Sequence, residues 1–275
     1  MKSNQAIFAA FMLLLIIPFH AKCQEREQLT VPLTDPSKEG KLNVSIITGS
    51  IKVIGYDGKD MIIDAISDER NDKKNSKDRA DGMKKISTND GYEIIAREKN
   101  NTINVSTDKV NMKINLTIKV PRKTSIKLST INDGDIWVEN VSGNLEVSNI
   151  NGDIRMKNVA GSVVANTINE SIIVNFTEVT PNTPMAFTTL NGNVDITFPA
   201  TIKSNIKLKS DMGEVYSDFD IEIDKTPIKV NHSIDKEKGL YKIKKDEWTN
   251  GKINGGGAEI MMKTMQGDIF IRKNK

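Results

Sequence analysis

Five consecutive nonapeptides between residues 134 and 178 constrain this chain more than any other feature. Stacked, they read GDIWVENVS, GNLEVSNIN, GDIRMKNVA, GSVVANTIN and ESIIVNFTE. Position 1 is Gly134, Gly143, Gly152, Gly161 and then Glu170. Position 3 is Ile136, Leu145, Ile154, Val163 and Ile172, and position 5 is Val138, Val147, Met156, Ala165 and Val174. Side chains two apart on a strand share a face, so positions 3 and 5 point inward and positions 4 and 6 outward. Glycine at position 1 suits a turn that needs positive φ or close backbone packing. Asn140, Asn149 and Asn158 at position 7 suit a corner, because Asn bonds turn backbone and tolerates the left-handed region. One such unit cannot bury its apolar side alone. Stacked units, about 4.7–4.9 Å apart, bury a continuous column.

The expected fold is all-β: a single parallel β-solenoid, β-helix- or β-roll-like, with coils of about eighteen residues built from two nonapeptide half-repeats. A longer repeat with three shorter strands per coil is the alternative. The same grammar continues at Gly49-Ser50-Ile51-Lys52-Val53, Gly192-Asn193-Val194-Asp195-Ile196, Gly213-Glu214-Val215-Tyr216 and Gly267-Asp268-Ile269-Phe270-Ile271. Drift between these blocks reads as loops inserted at corners, Thr177 to Pro184 among them. Two segments depart from the repeat. Residues 67–85 are a charged insertion of mixed sign, a solvated loop or short helix. Residues 231–257, with Trp248 and the loop Gly255-Gly256-Gly257, form a C-terminal flap that covers an end of the stack.

The start of the chain reads as a signal peptide over residues 1–23. Lys2 is followed by an apolar run, Ala6 to Phe19, too short for a confident membrane span, and Ala21-Lys22-Cys23 fits a small-residue cleavage pattern. Cleavage leaves a mature chain from Gln24, with residues 24–41 a lead-in and 42–275 the β-domain. The rival is a lipid anchor at Cys23, which would put the protein on a membrane; Lys22 stands where a small residue is usual. Export to the periplasm, the outer surface or the medium follows.

Removing the leader takes the only cysteine, and His20 with it, so His232 remains alone. The 39 basic side chains less Lys2 and Lys22 nearly balance 36 acidic ones, which argues against nucleic acid. Cys–His chemistry and a His-rich zinc site lack their residues. Asp135 and Asp153, eighteen apart, fall on adjacent coils, but their turns lack the second glycine of calcium-binding nonapeptide rolls. No catalytic residue, cofactor or metal ligand is therefore assigned. A thin core with few aromatics also leaves little room for a preformed pocket.

Outward positions carry what binding signal there is. Trp137, Arg155 and Ile173 stack on one face, with Glu139, Lys157 and Asn175 beside them, so Arg155 can pack on Trp137 and Lys157 can pair with Glu139. Trp137 and Arg155 are the candidate contact residues for a glycan or protein partner.

The chain also resembles the bacterial putative-adhesin family, a family of unknown function built from β-strand repeats. The resemblance lies in Ile47 to Gly58, in Ile118-Lys119-Val120-Pro121, in the Asn-Gly-Asp-Ile coils, in Asn191-Gly192-Asn193-Val194 and in Val215-Tyr216-Ser217-Asp218-Phe219. The leader, ending Ala-Lys-Cys-Gln, resembles those of Bacteroidetes-type bacteria. The resemblance implies an exported β-solenoid and carries no active site over. Three function classes follow: a non-enzymatic cell-envelope or surface binding module, a periplasmic scaffold or sensor in an envelope-stress system, and a carbohydrate-active β-helix enzyme.

Overall fold

The computed structural model describes residues 27–68, 91–108, 112–225, 230–235, 240–245 and 248–275. The leader, Cys23 and most of the 67–85 insertion lie outside the described residues. Among those described there is no helix, and twenty strands join in one mixed sheet that folds back around its own core.

Two ladders of parallel strands make up most of that sheet. Ladder A runs β7 (Lys113–Pro121), β3 (Ile51–Tyr56), β9 (Ile136–Glu139), the start of β11 (Ile154–Asn166), β12 (Ile172–Val179), β14 (Val194–Phe198), β22 (Ile269–Lys273) and β16 (Val215–Ser217). Ladder B runs β6 (Thr102–Thr107), β2 (Gly40–Ser45), β8 (Thr124–Ser129), β10 (Ser142–Ser148), the end of β11, β13 (Met185–Thr188), β21 (Ala258–Thr264) and β15 (Ser204–Ser210). In the nonapeptide region the register matches the doubled repeat. Ile136 sits beside Ile154, Ile154 beside Ile172 and Leu145 beside Val163.

Positions 3 and 5 face inward in both ladders. Ile136, Val138, Leu145, Val147, Ile154, Met156, Val163, Ala165, Ile172 and Val174 are all buried in one core. Toward the C-terminal part, Phe176 stacks on Phe198 at 5.2 Å and meets Phe187 edge-on at 6.4 Å.

The expectation of a single parallel solenoid is corrected at the two ends. β4 (Asp60–Asp68) pairs antiparallel with β7, and β1 (Glu27–Pro32) antiparallel with β4. β5 (Ile94–Lys99) pairs antiparallel with β6. Within the expected flap, β20 (Thr249–Ile253) runs antiparallel to β15, and β17 (Ile221–Ile223) antiparallel to β20. β18 (Val230–Asp235) and β19 (Leu240–Lys245) form a separate antiparallel hairpin. The physical reason is the sheet edge. A parallel stack ends in unpaired N–H and C=O groups, and an antiparallel strand laid along that edge satisfies them.

The two corners of a coil differ, which the nine-residue alignment hides. Asn140 and Asn158 adopt φ of 58° and 53° where ladder A passes to ladder B. At the opposite corner the side chain turns inward instead. Asn149 Nδ2 donates to the Gly134 carbonyl at 3.0 Å and Thr167 Oγ1 to that of Gly152 at 3.1 Å. Thr130, Thr189 and Thr264 make the same bond to Gly49, Glu170 and Gly192. These buried donors form a polar column with every rung satisfied, and each rung ties a corner to the neighbouring coil.

Candidate functional site

The outward row of ladder A carries the aromatic and arginine side chains that the repeat brings together. Read across the strands it passes Lys52, Trp137, Arg155, Ile173, Asp195, Phe270 and Tyr216. Alternation fixes this face, since from Lys52 to Phe270 the residues on either side of each point into the core.

Trp137 and Arg155 are brought together, as their eighteen-residue spacing requires. They are register partners on β9 and β11, and the Arg155 guanidinium lies 5.5 Å from the centre of the indole ring. Its Nη2 also donates to Asp153 Oδ2 at 2.5 Å. Trp137 remains 46% exposed. Lys157 and Glu139 are register partners as well, without an ion pair between them.

A second group of the same construction occupies the other end of the row. Arg272 makes a bidentate ion pair with Asp195, at 2.7 and 2.9 Å, and its guanidinium lies 5.0 Å from the Phe270 ring. The hydrogen bonds and charge of Asp195 raise the Arg272 pKa above its ordinary value. Phe270 in turn stacks on Tyr216, with centroids 5.3 Å apart and planes at 11°. Tyr216 lies on β16, the last strand of ladder A, and is 52% exposed. Each group is a guanidinium held flat by a carboxylate and laid on an aromatic ring. Three strand spacings, about 14 Å, separate the two arginines.

The sequence marks Trp137 and Arg155 but not Asp195, Phe270, Arg272 and Tyr216. Their glycine-led blocks are visible in the sequence. What it does not give is the order of stacking, which sets β22 between β14 and β16 and so joins Phe270 to both Asp195 and Tyr216.

Asp135 and Asp153 are engaged in holding the coils. Asp135 Oδ1 accepts the backbone N–H of Asp153, and Asp153 Oδ1 accepts that of Ser171, both at 3.0 Å. Ser171, Asn193 and Asp268 continue the chain of caps to Asn193, Asp268 and Glu214. Beside it, Asn132, Asn151, Asn169 and Asn191 form an amide ladder. The acidic turn residues therefore serve as turn caps, with Asp153 also orienting Arg155.

The expectation of little room for a pocket is corrected at one corner. A cavity of about 450 Å³ opens there between the segments 177–185, 199–204 and 256–260. Insertions widen this corner, whereas the regular coils close theirs with two residues between β9 and β10.

Fold and face together define an all-β chain whose parallel strands carry two groups of aromatic and arginine side chains along one outward row. No family model and no curated protein matches it. Among solved structures, the chain is similar to a putative cell adhesion protein from Clostridium sporogenes. The identity is 14% and the TM-score 0.45, over 91% of this chain and 100% of that one. It is also similar to a putative adhesin from Bacteroides fragilis, at 14% identity and a TM-score of 0.31, over 91% of this chain and 98% of that one.

Proposed function

We propose that this protein is an exported, non-enzymatic β-solenoid of the cell envelope that binds an extended partner, a glycan or a protein, along ladder A. The observation that carries the reading is the paired construction on one flat face: Trp137 with Arg155 and Asp153, then Phe270 and Tyr216 with Arg272 and Asp195. Aromatic rings and arginine are the side chains enriched at contact surfaces. A flat face needs roughly 1,000 Å² of contact for specific binding, which favours a polymer or a protein over a small metabolite. The engagement of Asp135 and Asp153 in backbone caps supports the non-enzymatic part.

The test is a pull-down from envelope fractions with a glycan array in parallel, using wild type, Trp137→Ala and Arg272→Ala. Both substitutions are expected to weaken capture about tenfold while leaving the melting temperature within a few degrees, since neither side chain is in the core. Unchanged capture by a folded Trp137→Ala protein removes this face from consideration. Polysaccharide turnover that Asp135→Asn or Asp153→Asn abolishes would sink the non-enzymatic reading, because Asn can still accept the capping hydrogen bond. Cell fractionation with surface proteolysis decides between periplasm and outer surface.

A further inference from the structure

Strands β13, β21 and β15 lie side by side at the C-terminal part of ladder B. Each is entered through a longer connection than the regular coils use: residues 180–184, 254–257 and 199–203. The parallel ladders do not need these insertions, because the coil from Ile136 to Ile172 closes without them. At the same corner Phe176 replaces the Asn that turns the regular coils, and its stack on Phe198 fills the widened core beneath. The three insertions converge on the cavity of about 450 Å³, within the ordinary size range of small-ligand sites.

Gly256 and Gly257 form one wall. Gly255 and Gly256 have φ of 84° and 87°. A Cβ at Gly257 would stand 2.3 Å from the Lys203 carbonyl oxygen, so the wall packs closely on the neighbouring connection. Met185, Ile202 and Ile260 make a buried apolar floor. Around the rim stand hydroxyls and an amide. Of these, Thr180, Asn182 and Thr201 make no side-chain hydrogen bond among the described residues. Glu178 and Lys203 also line the cavity, and neither is in an ion pair among the described residues.

We propose that this corner is a second binding site, independent of ladder A, which takes a neutral saccharide unit such as the end of a glycan chain. The lining selects that chemistry. One lysine and one carboxylate among the described lining residues give no field for a phosphate or a polyanion, which need several converging cations. Among the described residues, no aromatic ring lines the cavity for a flat aromatic ligand to stack on. An apolar floor under a rim of hydroxyl and amide groups matches the two sides of a sugar ring, C–H on one and hydroxyl on the other.

Saturation-transfer NMR on the full mature chain tests this with glucose, galactose and N-acetylglucosamine as probes. Alanine serves as a zwitterionic control and inorganic phosphate as an anionic one. At least one neutral saccharide is expected to receive saturation. Thr201→Val and Asn182→Gly, the latter compatible with the φ of 56° at that position, should each weaken it about fivefold to tenfold, the loss of one hydrogen bond to an uncharged ligand, with little change in melting temperature. Trp137→Ala should leave it unaltered, so the failure of ladder A and the failure of this corner are read separately. The proposal is overturned by silence from all three saccharides, by signals that survive both corner substitutions or vanish with Trp137→Ala, or by alanine or phosphate binding in their place.

Discussion

Val138 is 1% exposed and lies between Val53 and Met156 in ladder A. Its neighbours on both sides are core side chains, so a charge there has no partner and no route to water. Val138→Asp is expected to cost more than about 4 kcal/mol and to leave little folded protein at room temperature. A wild-type thermal melt for that variant would contradict the inward placement of position 5. A milder residue effect concerns acid. Asp35 is held at about 2, below its ordinary 3.8, first by the Ser37 hydroxyl and then by Lys38. A carboxyl whose folded pKa is depressed adds stability above its unfolded value and loses it as pH falls through the folded one. The contribution of Asp35 is therefore complete above pH 3.8 and fades toward pH 2; its exposure keeps it small. Melting curves of wild type and Asp35→Asn should converge as pH falls through that window. A gap that stays constant to about pH 2.5 counts against the assignment.

At the scale of the coil, the repeat makes the inward positions and the pairing of 136 with 154 and of 154 with 172 legible, because a period of two along strands and of nine along the chain leaves little freedom. Asn140 and Asn149 align at position 7, yet one turns the chain in the left-handed region and the other is a buried donor to Gly134. They stand at opposite corners of one coil, between β9 and β10 and between β10 and β11, which an alignment in nines superimposes. Gly161 shows why the glycine signal was readable. Its φ is 114°, and a Cβ there would stand 2.0 Å from the Gly143 carbonyl oxygen. The half of the candidate face at Trp137 and Arg155 was legible because it lies within the unbroken repeat. The half at Phe270 and Arg272 was not, because the chain does not stack its coils in order. β2 and β3 slip between β6/β7 and β8/β9, and β21 and β22 slip between β13/β14 and β15/β16. Each of these inserted strands is thereby paired on both sides, an arrangement that depends on long-range closure rather than on local spacing.

For the whole molecule, the problem of a stacked sheet is its two ends. At one end of ladder A the outermost parallel strand, β7, is covered by β4 and then β1. At the other, ladder A stops at β16, a strand of three residues flanked by Glu214 and Asp218, and shortness and charge are both protections for an exposed edge. β1 has a different role from that short edge. Leu29 and Val31 pair with Ile63 and Met61, Val31 packs against the core, and Leu33, just past the strand, is 6% exposed within it. Removing β1 would leave the nine residues of β4 as a long edge with an apolar inner face. A chain that starts at Leu33 should therefore fold but self-associate, eluting from size exclusion well ahead of the chain that starts at Gln24. Light scattering at several concentrations checks this. If the shortened chain matches the longer one in mass at every concentration, β1 does not protect the edge, and capping by antiparallel return fails as the reason why the parallel ladders give way to a mixed sheet.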